Sequence, residues 1–218
     1  MKGEKQPVWD LPTRLFHWLL AALIAFSWWS VHNEHTDWHI WSGCAILALL
    51  IFRLLWGFVG SSTARFSSFV RGPASVIQHL KGKWNGIGHT PLGALSVLAM
   101  IVAIAIQVGL GLIAEDEDGL YAGPLAGLVS IDRSDQARDL HELWFNVILG
   151  LIVLHVAAII YYRLRGRRLT LPMITGRARL EPGTEPMRAG KWWVVLICLA
   201  VAIAVTRWVI AGAPPFGT

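Results

Sequence analysis

The chain has 218 residues, 55% of them apolar and only 15% charged, with twelve tryptophans and a net charge of +5. This balance excludes a soluble domain and indicates a bilayer protein, whose tryptophans gather at the two interfaces. Nucleic acid is not indicated by the basic excess, because the Lys and Arg residues cluster in particular connections between apolar stretches.

Residues 1–10 read as a short polar leader with Lys2 and Lys5. No small-residue cleavage site follows the first apolar run, so that run is expected to be a retained span, not a removed signal peptide. Asp10 is a helix cap, with Pro12 tolerated in the first turn. Span one covers 11–31, with Arg14, His17 and Trp18 near its start. A tight turn, 32–37, leads into span two, 38–59. His39 begins that span, and Arg53 and Trp56 lie near its other end. Gly43, one turn after His39, leaves room for a flat macrocycle against the backbone. Residues 60–90 form a long loop with Arg65, Arg71, Lys81 and Lys83 and no acidic residue. Within it, 73–80 reads as a helix lying on the membrane surface. His89 sits at the mouth of span three, 91–113. Residues 115–139 are an acidic loop holding seven Asp and Glu against Arg133 and Arg138. Span four covers 140–162, an arginine-rich segment follows, and span five covers 192–210.

The leader and the connections after spans two and four carry nearly all the Lys and Arg, so they are expected to face the cytoplasm of a bacterial inner membrane. Five spans then put the N-terminus in the cytoplasm and the C-terminus in the periplasm. Cys44 and Cys198 fall in apolar stretches and no CxxCH occurs, so a disulfide framework, a CxxC zinc site and covalent c-type haem are not expected.

His141 and His155 stand fourteen positions apart on span four. On a helix this places them roughly 40° apart on one face and about 21 Å apart along the axis, one near each membrane surface. Ionisable groups inside a span are costly and usually functional. Depth then matches His17 with His155 on the cytoplasmic side, and His39 with His141 on the periplasmic side. Two neutral imidazoles from two helices form an axial set for a low-spin b-type haem, and with both axial positions filled they favour electron transfer over chemistry at iron. His35, one turn before His39, is the alternative ligand. His32 and His79 read as solvated residues. Arg14 and Arg53 are placed to pair with haem propionates, with interfacial snorkelling as the plainer role. His89 is a contact for a propionate or a quinone, or a plain interfacial residue.

Several segments in order resemble the bacterial cytochrome b561 family, the superfamily that also holds the cytochrome b subunits of nickel-iron hydrogenases. They are Val8-Trp9-Asp10-Leu11-Pro12-Thr13-Arg14-Leu15-Phe16-His17-Trp18, His39-Ile40-Trp41-Ser42-Gly43, Arg53-Leu54-Leu55-Trp56-Gly57, Gly88-His89-Thr90-Pro91-Leu92-Gly93, Gly123-Pro124-Leu125, the His141/His155 helix and Met173-Ile174-Thr175-Gly176. The resemblance covers 8–176. It implies an all-α integral membrane protein: a four-helix transmembrane haem-binding bundle within 1–176 with two b-type haems on His17, His39, His141 and His155. A linker and a fifth transmembrane helix occupy 177–218. It further implies electron relay between the quinone pool, ubiquinone included, and a periplasmic c-type cytochrome or hydrogenase-like protein. Superoxide:ubiquinone oxidoreductase is a second expectation and a non-haem transporter or metal-binding protein a third. A homodimer is compatible with the pattern.

Overall fold

The computed structural model describes residues 5–70, 75, 87–180 and 184–214. In chain order these form β1 (Lys5–Pro7), α1 (Leu11–His32), α2 (Thr36–Val59), α3 (Phe66–Phe69), α4 (Pro91–Ile113), a 3-10 turn (Ala126–Leu128), α5 (Ile131–Leu164), α6 (Thr170–Thr175), β2 (Arg177–Arg179) and α7 (Trp192–Ile210). Helices α1, α2, α4, α5 and α7 are each long and apolar enough to cross a membrane. Their apolar side chains point outward: on α5, Val153 is 66% and Leu154 67% exposed. In water each such side chain would forgo about 1.5–3 kcal/mol of burial; lipid removes that penalty. The chain is an all-α integral membrane protein.

Two boundaries differ from the sequence reading. α5 starts at Ile131, so 131–139, read as loop, is its first turns. Their charge suggested a loop, but Ser134, Ala137 and Ile148 are buried at helical spacing while Asp132 and Asp139 face outward. Asp132 also suits the positive end of the helix dipole. α2 starts at Thr36 with Asp37 in its first turn, shortening the expected turn. The surface helix expected at 73–80 lies outside the described residues, Ser75 excepted.

The chain divides into two compact units. Met1–His17, Arg53–Ala99 and Leu151–Cys198 form the first, which holds the arginine-rich connections and is called the basic unit below. Its leader is not free-standing: β1 pairs antiparallel with β2, Lys5 opposite Arg179 and Pro7 opposite Arg177. Val8 and Trp9 donate their backbone N–H groups to the Gly176 carbonyl at 2.8 and 3.1 Å. Gly176 closes α6 in the left-handed conformation, φ +78°, and a Cβ there would press on the Trp9 carbonyl and the Arg14 guanidinium. The linker is stitched to the same face: Met187 N–H donates to Pro7 O at 3.0 Å, and Arg188 N–H to Ser62 Oγ at 2.9 Å.

Trp18–Phe52, Met100–Gly150 and Leu199–Thr218 form the second, acidic unit. Here the last carbonyls of α4 and those just after it find donors. Leu112 O accepts from Leu125 N–H and Ala114 O from Gly123 N–H, both at 2.8 Å. Ile113 O accepts from Ser134 Oγ at 2.8 Å. The 2.8 Å bond from Ser134 ties the first turn of α5 to the end of α4, which fixes a helical start in a segment of polar composition.

Candidate functional site

In the basic unit, α1 carries His17 and α5 carries His155, with ring centroids 6.3 Å apart and planes 48° apart. Two imidazoles binding one metal atom from opposite sides at roughly 2.0–2.1 Å, with about 1.1 Å from nitrogen to ring centre, have centroids roughly 6.3 Å apart. The pair therefore has the separation of an axial set.

Beside it the N-terminal cap of α1 carries more than a cap. Asp10 Oδ1 accepts from Thr13 N–H at 2.7 Å, and Oδ2 accepts from Trp56 Nε1–H at 2.9 Å. Arg53 is 2% exposed, with its guanidinium carbon 4.9 Å from the Phe66 ring centre and 6.0 Å from that of Phe16. Both Nη atoms are buried with no hydrogen-bond partner among the described residues. A buried guanidinium with idle donors is costly and suits a carboxylate of a bound group. Arg14 differs: its Nη1 donates to the Ile174 carbonyl, while its Nε is buried without a partner among the described residues. His89 lies between Trp9 and Phe69, at centroid distances of 4.6 and 4.4 Å. Burial, and then the charge of Arg53, lower its pKa to about 3, so it is neutral at physiological pH. Its Nδ1 is buried and unpartnered among the described residues. His89 borders a cavity of about 390 Å³ lined also by Ser62, Arg65, Ser68, Phe69 and Arg188.

In the acidic unit, His39 on α2 meets His141 on α5, with centroids 5.8 Å apart and planes at 84°. His35 does not reach the pair: it lies against Trp38 and Trp29, at 4.4 and 5.9 Å. Beside Gly43 a Cβ would meet nothing within 4 Å, so that flank of α2 is open, as a macrocycle requires. His141 Nδ1 lies 2.9 Å from the Gln107 carbonyl, and His39 Nδ1 lies 3.0 Å from both the Ser27 carbonyl and Ser27 Oγ. A carbonyl only accepts, so each Nδ1 carries its proton and each Nε2 keeps a free lone pair. On the surface of this unit Arg138 is taken up by Asp135, Glu117 and Asp139, at 3.2, 3.8 and 3.5 Å.

Thus the structure brings together the two histidine pairs expected from depth. Arg53 and His89 are placed in the basic unit, and one nitrogen of Arg14 is engaged by α6. His32 is exposed, its Nδ1 donating to Trp28 O at 2.9 Å, and His79 lies outside the described residues. Sequence reasoning missed Ser27, Gln107 and the Asp10–Trp56 bond. The available signal was polarity inside apolar spans, where each polar side chain needs a reason. One family model, described as prokaryotic cytochrome b561, matches residues 8–176. No curated protein and no solved structure matches the chain.

Proposed function

The chain belongs to the prokaryotic cytochrome b561 family, membrane b-type cytochromes of electron transfer, and from that premise we propose a relay built on two b-type haems. His17 and His155 hold one haem, His39 and His141 the other. The observation that carries this is the two cross-helix imidazole pairs, one at 6.3 Å, the separation expected for two imidazoles on one metal atom, and the other closer, at 5.8 Å. A bare structural ion asks for about four protein ligands. Among the described residues no group of three or more His, Cys, Asp or Glu could hold an ion. Pairs suit a macrocycle that supplies the remaining donors, which favours haem over the transporter reading.

Haem supplies reversible one-electron chemistry at iron. The chain's own residues ligate, orient and shield it. With two imidazoles held on each iron, bound haem would supply electron transfer and not chemistry on a substrate. Arg53 offers its idle donors to a propionate, and Arg14 those not engaged by Ile174. Neutral His89, flanked by Phe69 and facing the 390 Å³ cavity, suits the head group of a quinone such as ubiquinone. We read 1–176 as the di-haem core and 177–218 as an appended linker and helix. The charge rule places the basic connections and the N-terminus in the cytoplasm, and the acidic surface and the C-terminus in the periplasm.

That acidic surface suits a basic periplasmic redox partner, such as a c-type cytochrome or a hydrogenase-like protein. Superoxide oxidation is the second reading. An anion would need a cationic funnel, and Arg138 is already neutralised by three carboxylates. Stopped-flow haem absorbance, after mixing with superoxide or with a ubiquinol analogue, separates the two. Reduction by quinol and not by superoxide is expected; fast reduction by superoxide, with electrons passing on to quinone, would make the protein an oxidoreductase instead.

A further inference from the structure

Among the first four spans, α4 carries no histidine, yet one of its faces is devoted to one. Residues 103, 107 and 111 follow one another at four-residue spacing on that face. Trp144 Nε1–H donates to the Ala103 carbonyl at 2.9 Å, and His141 Nδ1–H to the Gln107 carbonyl at 2.9 Å. Gln107 answers in the other direction, Nε2–H donating to the His141 carbonyl at 3.0 Å. Glycine at position 111 makes room for that ring: a Cβ there would stand 2.8 Å from Cε1 and 3.1 Å from Nδ1 of His141, so the imidazole would have to shift. The two reciprocal bonds clasp α4 to α5, and the glycine notch sets the plane of the ring. A glutamine inside an apolar span is expensive, and its Oε1 is buried with no partner among the described residues. Its Nε2 bond is what the side chain is there to make.

Ser27 on α1 does the corresponding task for His39, presenting both its carbonyl and its hydroxyl at 3.0 Å from Nδ1. Its place in the helix is itself fixed, since Ser30 Oγ donates to the same Ser27 carbonyl at 2.9 Å. An imidazole that donates Nδ1–H to an oxygen is more basic at Nε2 and binds an oxidised metal more tightly than a reduced one. We infer that Ser27, Gln107 and Gly111 are positioning residues that hold the tautomer, plane and basicity of His39 and His141, and thereby lower the reduction potential of the haem in the acidic unit. This rests on the proposal that these two histidines are axial ligands.

Potentiometric titration of the haem α-bands, with electron paramagnetic resonance of the oxidised protein, tests it. Ser27→Ala should keep both haems and shift one of them toward reduction by about tenfold in its equilibrium constant, 59 mV for one electron, leaving the other unmoved. Ser27→Thr, which restores a hydroxyl, should return most of that shift. Gly111→Ala should turn the His141 ring and change the low-spin signal of the same haem only. His39→Ala and His141→Ala run alongside. If either keeps both haems, the ligand assignment itself is wrong and the inference falls with it. If each loses one haem but Ser27→Ala and Gly111→Ala give titrations and spectra superimposable on those of the unmodified protein, the inference alone is overturned.

Discussion

Replacing Arg53 by methionine should act in opposite directions on the haem-free and the haem-loaded protein. In the structure the guanidinium is 2% exposed and neither Nη finds an acceptor among the described residues. Each unsatisfied buried donor group costs about 1–3 kcal/mol, so the haem-free protein should gain on the order of 2 kcal/mol when the charge is removed. The loaded protein should lose about 3–5 kcal/mol, because breaking a buried pair strands the remaining propionate charge. The affinity for that haem then falls by about 5–7 kcal/mol, well over a thousandfold. Haem content after purification, with thermal unfolding of protein made with and without haem supply, reads both effects. A variant that keeps both haems and unfolds like the unmodified protein in both states would refute the assignment of Arg53 to a propionate.

Three further outcomes follow from single contacts. His89 has a pKa lowered to about 3 by burial and by Arg53, so the folded state refuses a proton that the unfolded chain accepts below about 6.5. Stability should therefore fall as pH drops from about 6.5 toward 3, by up to about 1.4 kcal/mol per unit; His89→Gln should flatten that slope in thermal unfolding, and equal slopes would contradict the placement. Trp56→Phe leaves the buried Asp10 Oδ2 without its 2.9 Å donor, and should cost about 1–3 kcal/mol, measured as a lower midpoint in detergent melts. Gly123→Ala drives a Cβ into the carbonyls of Gly111 and Leu112. It should destabilise the protein by about 1–3 kcal/mol, and an unchanged melting midpoint would show that the loop yields.

Much of this arrangement was legible from residue type and spacing. Four histidines at matched depths in apolar spans gave the two pairs, because a costly group in a span is informative wherever it stands. Arg53 stood out for the same reason, as a charged group inside a span. Contacts made by the backbone were not. The Gln107 and Ser27 carbonyls that fix the imidazole tautomers belong to no side chain, so nothing in the residue names marks them. The engagement of Arg14 by Ile174 O was hidden likewise. The β1–β2 ladder joins three-residue segments that flank the matched region on either side, too short to show a period of two. The opening turns of α5 were obscured by their charges, although Ser134, Ala137 and His141 already stood at helical spacing.

The proposed relay requires that two cross-helix histidine pairs each hold one b-type haem. Haem counted per polypeptide in the purified protein and in His155→Ala tests it most directly. Two haems are expected in the unmodified chain and one in the variant, the remaining haem keeping its own α-band and potential. Two haems retained in His155→Ala, or a single haem in the unmodified protein, would contradict it.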